Sequence, residues 1–350
     1  MGGIMKVLNV TRYQTPTLFV SLLLIVLFWV YTFFMEGGFN FGIDFQAGIN
    51  LTAELPDTAN EEAIRDALAE YNPRIQTVGT EGNRYIIRIA DDETTGNFQQ
   101  TISKAVGSSL TSRFGQAQII SEEYIGTSFA GSLATQTIWA TLIALGLILL
   151  YVWIRFKFNY AVSAIIAIFH DVLFLLGFIG AVQLEFSTAT IAAVLTIIGY
   201  SLNDTIVIFD RIRENSRILK EKGFNEVIDI SVTQSLSRTL ITSVTTLLAV
   251  LAILVFAVGT IRDFALSLTV GIIVGTYSSV FVASPILLVW HNRDVKRIHR
   301  KLATPEAVAG TVAVHKPKAI VPDPVKQTAE EIAEATERRR AKAMKKKKKK

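Results

Sequence analysis

Six stretches of this chain are apolar over the roughly 20 residues that a helix needs to cross a bilayer core about 30 Å thick. They run from about Thr17 to Met35, Leu133 to Ile154, Tyr160 to Gly180, Ser187 to Phe209, Thr239 to Val258 and Phe264 to Trp290. Trp29, Trp139, Trp153 and Trp290 fall near segment ends, where amphipathic rings anchor at the interface. Lys6 and Arg12 precede the first stretch as they would in a signal peptide. Its apolar run is too long for a signal-peptide core, and Met35-Glu36-Gly37 is not a small-x-small cleavage site. It is therefore expected to remain a helix, giving a polytopic α-helical membrane protein with six transmembrane helices.

Between the first two stretches the pattern changes. Phe41–Leu55 reads as a strand, and Asn60–Tyr71 as an amphipathic helix with Ala63, Ile64, Ala67 and Leu68 on one face. Arg74–Val78 and Arg84–Ala90 read as strands around a Gly79–Gly82 turn. Phe98–Phe114 reads as a second helix and Gln116–Tyr124 as a last strand. The order β-α-β-β-α-β predicts a ferredoxin-like α+β domain. The expected organisation is a cytoplasmic N-terminus (1–16), helix 1 (17–35), a periplasmic domain (36–132), helices 2–6 (133–290) and a basic cytoplasmic tail (291–350).

Charge sets the orientation. Lys6 and Arg12, then Arg155 and Lys157, then Arg211, Arg213, Arg217, Lys220 and Lys222, and finally the tail, all lie on one side if six segments cross. The opposite short loops carry only Arg262. The positive-inside rule then puts both termini in the cytoplasm. The net charge of +5 conceals a division: residues 291–350 carry 18 Lys/Arg against 7 Asp/Glu, so the rest is net acidic. The basic character belongs to a tail and does not imply a nucleic-acid-binding fold. That tail opens with a proline-containing linker and ends in Lys345–Lys350. Its lysines suit anionic lipid or ribosomal RNA, or simply form a solvated charge block.

Composition agrees with a membrane protein. Half of the residues are hydrophobic, 19% are charged and mean hydropathy is +0.40, where soluble domains carry about 25% charge. The chain has no cysteine, which removes disulfides, thiolate metal sites and thiol catalysis. No phosphate loop, metal-ligand set or nucleophile triad is present, so no cofactor, no ATP-driven step and no bond-making activity are expected.

Ionisable residues inside a span are costly, and they mark function by default. His170 and Asp171 lie near the middle of span 3 and Asp204 well inside span 4, while Arg238 opens span 5. Tyr200 and Asp204 share a helix face, with Asn203 and Thr205 beside them. Arg238, Thr242, Thr245 and Thr246 form one polar stripe, spaced to meet Asp204 across a helix interface. Two readings stand: a switchable proton relay between Asp204 and Arg238, and a static ion pair that fixes helix register. The His170–Asp171 dyad reads as a satisfied buried contact, and Asp210 with Arg211 and Arg213 as an interfacial charge group. Gly271, Gly275, Ser278 and Ser279 read as a close-packing face.

At these residues the chain resembles the SecF family, membrane subunits of the bacterial Sec protein-export machinery. The matching runs are FGIDFQAG (Phe41–Gly48), FKFNYAVSAIIAIFHDV (Phe156–Val172), LTIIGYSLNDTIVIFDRIREN (Leu195–Asn215), SLSRTLITSVTTLL (Ser235–Leu248) and VGIIVGTYSSVFVASP (Val270–Pro285). The resemblance implies a homologous partner, SecD, and kinship with resistance-nodulation-division transporters. It implies work beside the SecYEG channel and SecA, with YajC as a further partner and a translocating preprotein on the periplasmic side. It places the chain in the bacterial inner membrane, using the proton gradient to finish export, with Asp204 and Arg238 in proton passage. The family's usual GxDFxGG run carries Ala47 in place of one glycine here, and Asp44 is read as structural. Two alternatives remain open: a passive scaffold for SecD and the channel, and a subunit of a proton-driven small-molecule exporter.

Overall fold

The structure is a computed structural model that describes residues 7–78, 83–91 and 96–302. The Gly79–Gly82 turn and the tail from residue 303 onward, including Lys345–Lys350, lie outside the described residues. Among the described residues six helical segments are long and apolar enough to cross a membrane. Helix α1 spans Gln14–Phe34, and α4 and α5 span Thr127–Arg155 and Phe158–Ala181. Helices α6 and α7 span Thr188–Ile218 and Phe224–Phe256. The last crossing is built from α8 (Gly259–Ser278), a π-helical turn (Ser279–Ala283) and α9 (Ser284–Leu302).

Several helices outrun their apolar stretches. Helix α6 continues through the polar run Asp210–Ile218, and α7 starts at Phe224, well before Thr239. Bilayer thickness limits the apolar part of a helix but not its length. These extensions hold one another through side-chain pairs. Asn215 donates to Ser231 (2.9 Å) and Gln234 (2.9 Å), and Arg211 donates to Gln234 (2.6 Å) and Glu214 (2.7 Å). Asp210 pairs with Arg155 at the end of α4, not with its chain neighbours Arg211 and Arg213.

The domain between α1 and α4 contains β2 (Gly48–Glu54), α2 (Glu61–Ala67), β3 (Arg74–Val78), β4 (Arg84–Ala90), α3 (Phe98–Phe114) and β5 (Gln118–Ile125). Its four strands pair antiparallel in the order β3-β4-β2-β5. Alternation along β2 and β4 sends Ile49, Leu51, Tyr85, Ile87 and Ile89 into a core with Ile64, Leu68, Val106 and Leu110. Asn60 caps α2 by accepting from the Ala63 amide at 2.7 Å.

The strand expected over Phe41–Leu55 is two strands. The short β1 (Asn40–Phe41) pairs parallel with β6 (Glu185–Phe186) in the loop between α5 and α6. The run Gly42–Ala47 turns between β1 and β2. There Asp44 accepts from the Thr188 amide (2.9 Å) and hydroxyl (2.6 Å), covering donors at the start of α6. Ala47 is not at positive φ, so its replacement of a glycine costs no backbone strain.

Candidate functional site

The ionisable residues of spans 3 and 4 arrive in one buried region by different routes. Helix α6 packs on α5, α7 and α8, and α5 also packs on α1 and α8. Four of these helices meet at Asp171. Its Oδ2 accepts the hydroxyls of Ser201 on α6 (2.5 Å) and Ser278 on α8 (2.8 Å). Its Oδ1 lies 3.0 Å from Nδ1 of the neighbouring His170. His170 Nε2 contacts the Ser21 hydroxyl of α1. All five residues are buried.

This chain of contacts has a definite chemistry. A neutral imidazole that donates from Nδ1 to Asp171 accepts Ser21 at Nε2. A protonated ring donates at both nitrogens. The cluster can therefore hold either ring state by turning one hydroxyl.

Asp204 sits one turn further along α6 from Ser201 and is only 2% exposed. Its Oδ2 is buried with no hydrogen-bond partner, and the same holds for the Tyr200 hydroxyl on the same face. Thr205 is buried beside it, whereas Asn203 points outward and is exposed. An unsatisfied buried carboxylate oxygen carries a large desolvation cost, and it is relieved only by a proton, water or a partner charge.

The expected Asp204–Arg238 pair is not made: among the described residues no ion pair joins them. Arg238 is exposed on α7. The threonines of its stripe turn back onto their own helix. Thr242 donates to the Arg238 and Thr239 carbonyls (3.1 and 2.9 Å), Thr245 to Ile241 (2.9 Å) and Thr246 to Thr242 (2.9 Å). Back-bonding is how isolated hydroxyls on a membrane helix are satisfied, so these threonines offer Asp204 no hydrogen bond, while the Arg238 guanidinium still acts on its carboxylate through space.

Sequence reasoning missed three members of the cluster. Ser278 reads as a packing residue, yet it also donates to Asp171, because a serine at a close helix contact brings a hydroxyl with it. Ser21 is a single polar residue in an apolar run, and Ser201 lies one turn before Asp204; those positions are the signals that point to them. Ser278 is followed directly by the π-helical turn, a departure from α geometry that is frequent at functional sites.

Residues 105–293 match the family model for protein export membrane protein SecD/SecF, C-terminal. The chain is 40% identical over 292 residues to the protein translocase subunit SecF of Borreliella burgdorferi, covering 81% of this chain and 97% of that one. The chain belongs to the SecD/SecF family. SecF of Haemophilus influenzae is 41% identical over 257 residues, with 73% and 78% of the two chains covered. Protein translocase subunit SecDF of Thermus thermophilus is 37% identical over 266 residues, which is 35% of its length. A crystal structure of that SecDF, described as a translocon-associated membrane protein, superposes with a TM-score of 0.73 at 35% identity. The superposition covers 83% of this chain and 40% of SecDF. As a SecF relative the chain is a multi-pass membrane subunit of the Sec protein-export system.

Proposed function

We propose that this chain, a coupling subunit and not an enzyme, works with SecD to convert proton movement into late steps of preprotein export across the bacterial inner membrane. The observation that carries this reading is Asp204, buried at 2% exposure with one carboxylate oxygen lacking any hydrogen-bond partner. A carboxylate kept in that condition inside a Sec subunit is poised to take and release a proton. The satisfied cluster around Asp171 lies on the same helix faces and gives that event something to move. One charge crossing 100 mV is worth about 2.3 kcal/mol, enough to bias a two-state helix packing roughly fifty-fold.

SecD is the partner favoured by the fused SecDF relative, of which this chain matches one part. The domain between α1 and α4 is assigned to the periplasmic face as a ferredoxin-like sandwich. Its element order and antiparallel strand order support that name, and loop charge supports the side. SecYEG and SecA then lie beside the complex. A scaffold built on a static Asp204–Arg238 pair has less support, since the two interact through space without forming a direct ion pair.

The test is export of a slow preprotein in cells carrying Asp204→Asn, with SecD co-purification as the control for assembly. Export at the level of a deletion strain, with SecD still bound, is expected. Export equal to wild type would refute the proton reading.

A further inference from the structure

One group of buried charges lies outside the membrane site and has no part in it. Arg88 on β4 and Glu185 on β6 form a salt bridge at 2.6 Å, with the side chains 7% and 3% exposed. Arg88 belongs to the extramembrane domain. It sits on the sheet face opposite the domain's own core, where alternation places it with Ile86. Glu185 belongs to the loop between α5 and α6.

Glu185 is tied to α6 and α8, two of the helices that feed the Asp171 cluster. Its carbonyl accepts the Thr190 hydroxyl of α6 at 2.5 Å. Its amide donates to Asp263 Oδ2 of α8 at 2.9 Å, and its carboxylate accepts the Thr260 hydroxyl of α8 at 3.2 Å. Gly42 completes the seat: a Cβ there would lie 2.4 Å from Glu185 Oε1, so any larger residue would push the Glu185 side chain from its place. Two helices are thus joined at two levels. Ser201 and Ser278 meet on Asp171 inside the membrane, and Thr190 and Thr260 meet on Glu185 at its surface. A slide of α6 past α8 that rearranges the first junction must also disturb the second.

The surroundings leave room for movement. A polar cavity of about 540 Å³, lined by Asn40, Arg65, Arg74, Arg88 and Gln183, opens beside the pair. Arg88 Nε has no hydrogen-bond partner. Gln183, two residues before Glu185, holds positive φ of 55° without being glycine, a strain that collects where a segment switches. The domain is seated here by these polar ties together with Ile86, which is buried against the start of α8.

We propose that Glu185 is a positioning residue that couples the extramembrane domain to α6 and α8, and that the Arg88–Glu185 pair must part during each export cycle. The claim that it parts rests on the proton-coupled reading above; the claim that the domain is seated there does not.

The chain has no cysteine, so Arg88→Cys with Glu185→Cys gives a clean pair for a short reducible bis-thiol-reactive cross-linker. It is applied to the full chain assembled with SecD in membranes. Cross-linking well above either single variant is expected, since the two positions are in contact. The linked protein is expected to lose at least tenfold in export and to recover on reduction to the level of the unlinked double variant. A merely structural tie would tolerate the lock, so full export by the linked protein overturns the proposal. Absence of cross-linking, with SecD still co-purifying, overturns the seating itself. If Asp204→Asn exports normally while the lock still blocks reversibly, the proton reading fails and the coupling stands. A second variant, Glu185→Asp, should retain more export than Glu185→Gln, because the shorter acid keeps the charge for Arg88.

Discussion

Two buried aspartates in this chain are in opposite conditions. Asp171 receives two serine hydroxyls and faces a histidine, whereas Asp204 leaves an oxygen unsatisfied. The first has its hydrogen-bonding demand met across helices; the second carries an unmet one. Glu185 adds a third case, at the membrane surface. Burial pushes its carboxyl above the ordinary value of 4.5, and the Arg88 guanidinium and Thr260 hydroxyl pull against that without cancelling it. Asp263 and Asp44 add to the upward push. The folded state therefore holds this proton more tightly than the unfolded chain does. Its stabilisation is full below 4.5 and is lost as pH rises through the raised value. Thermal unfolding of the purified protein should show stability falling with rising pH across that window. Glu185→Gln should flatten this slope while leaving the response to other carboxylates; an unchanged slope would assign the effect elsewhere. Glu185→Leu should cost about 3–5 kcal/mol, since it leaves Arg88 buried and unpaired.

Among the elements, the contact of α6 with α8 is the one on which the site depends. A Cβ added at Gly271 would come within 2.4 Å of Ile197 Cγ1. Gly271→Val should spread the two helices and destabilise the fold by about 1–3 kcal/mol. Ile197→Ala in the same chain should restore part of that loss, a coupling of at least about 1 kcal/mol in a double-mutant cycle read by heating in detergent. Additive losses would mean that the helices relax independently there. The spans themselves were legible in the chain because hydropathy and length are local properties. The domain's strands and helices were legible for the same reason, through the apolar face of Asn60–Tyr71 and the short apolar runs of the strands. Phe41–Leu55 misled because an alternating run does not reveal a turn whose purpose is to reach another loop. His170, Asp171 and Asp204 stood out as charges in apolar runs. Their partners did not, because helix rotation and crossing decide which faces meet, and one sequence without its relatives does not encode that directly. Arg238 and Asp204 suit each other by spacing on two separate helices, yet the packing turns Arg238 outward.

At the scale of the molecule, the outward position of Arg238 has a consequence. Helix α7 presents Arg238, Thr245 and many apolar side chains to the outside, and α6 adds Asn203. Helix α4 is also largely exposed, but its face is apolar, with Ile143, Leu147 and Leu150 outward. Lipid covers the second face at no cost. It covers the first less well, because Arg238, Thr245 and Asn203 put polar groups on that face. The two helices therefore face different surroundings, and the polar one is where a second membrane subunit belongs. Single cysteines introduced into this cysteine-free chain separate the two faces. Asn203→Cys and Thr245→Cys should react with a maleimide at least fivefold more slowly in the SecD complex than in the purified chain. Leu147→Cys, on the apolar face of α4, should react equally in both. Equal protection of all three positions would mean that SecD wraps the bundle without choosing a face. Protection of Leu147→Cys alone would put the partner on α4 and leave Arg238 to lipid, and the need for a polar partner would then fall away.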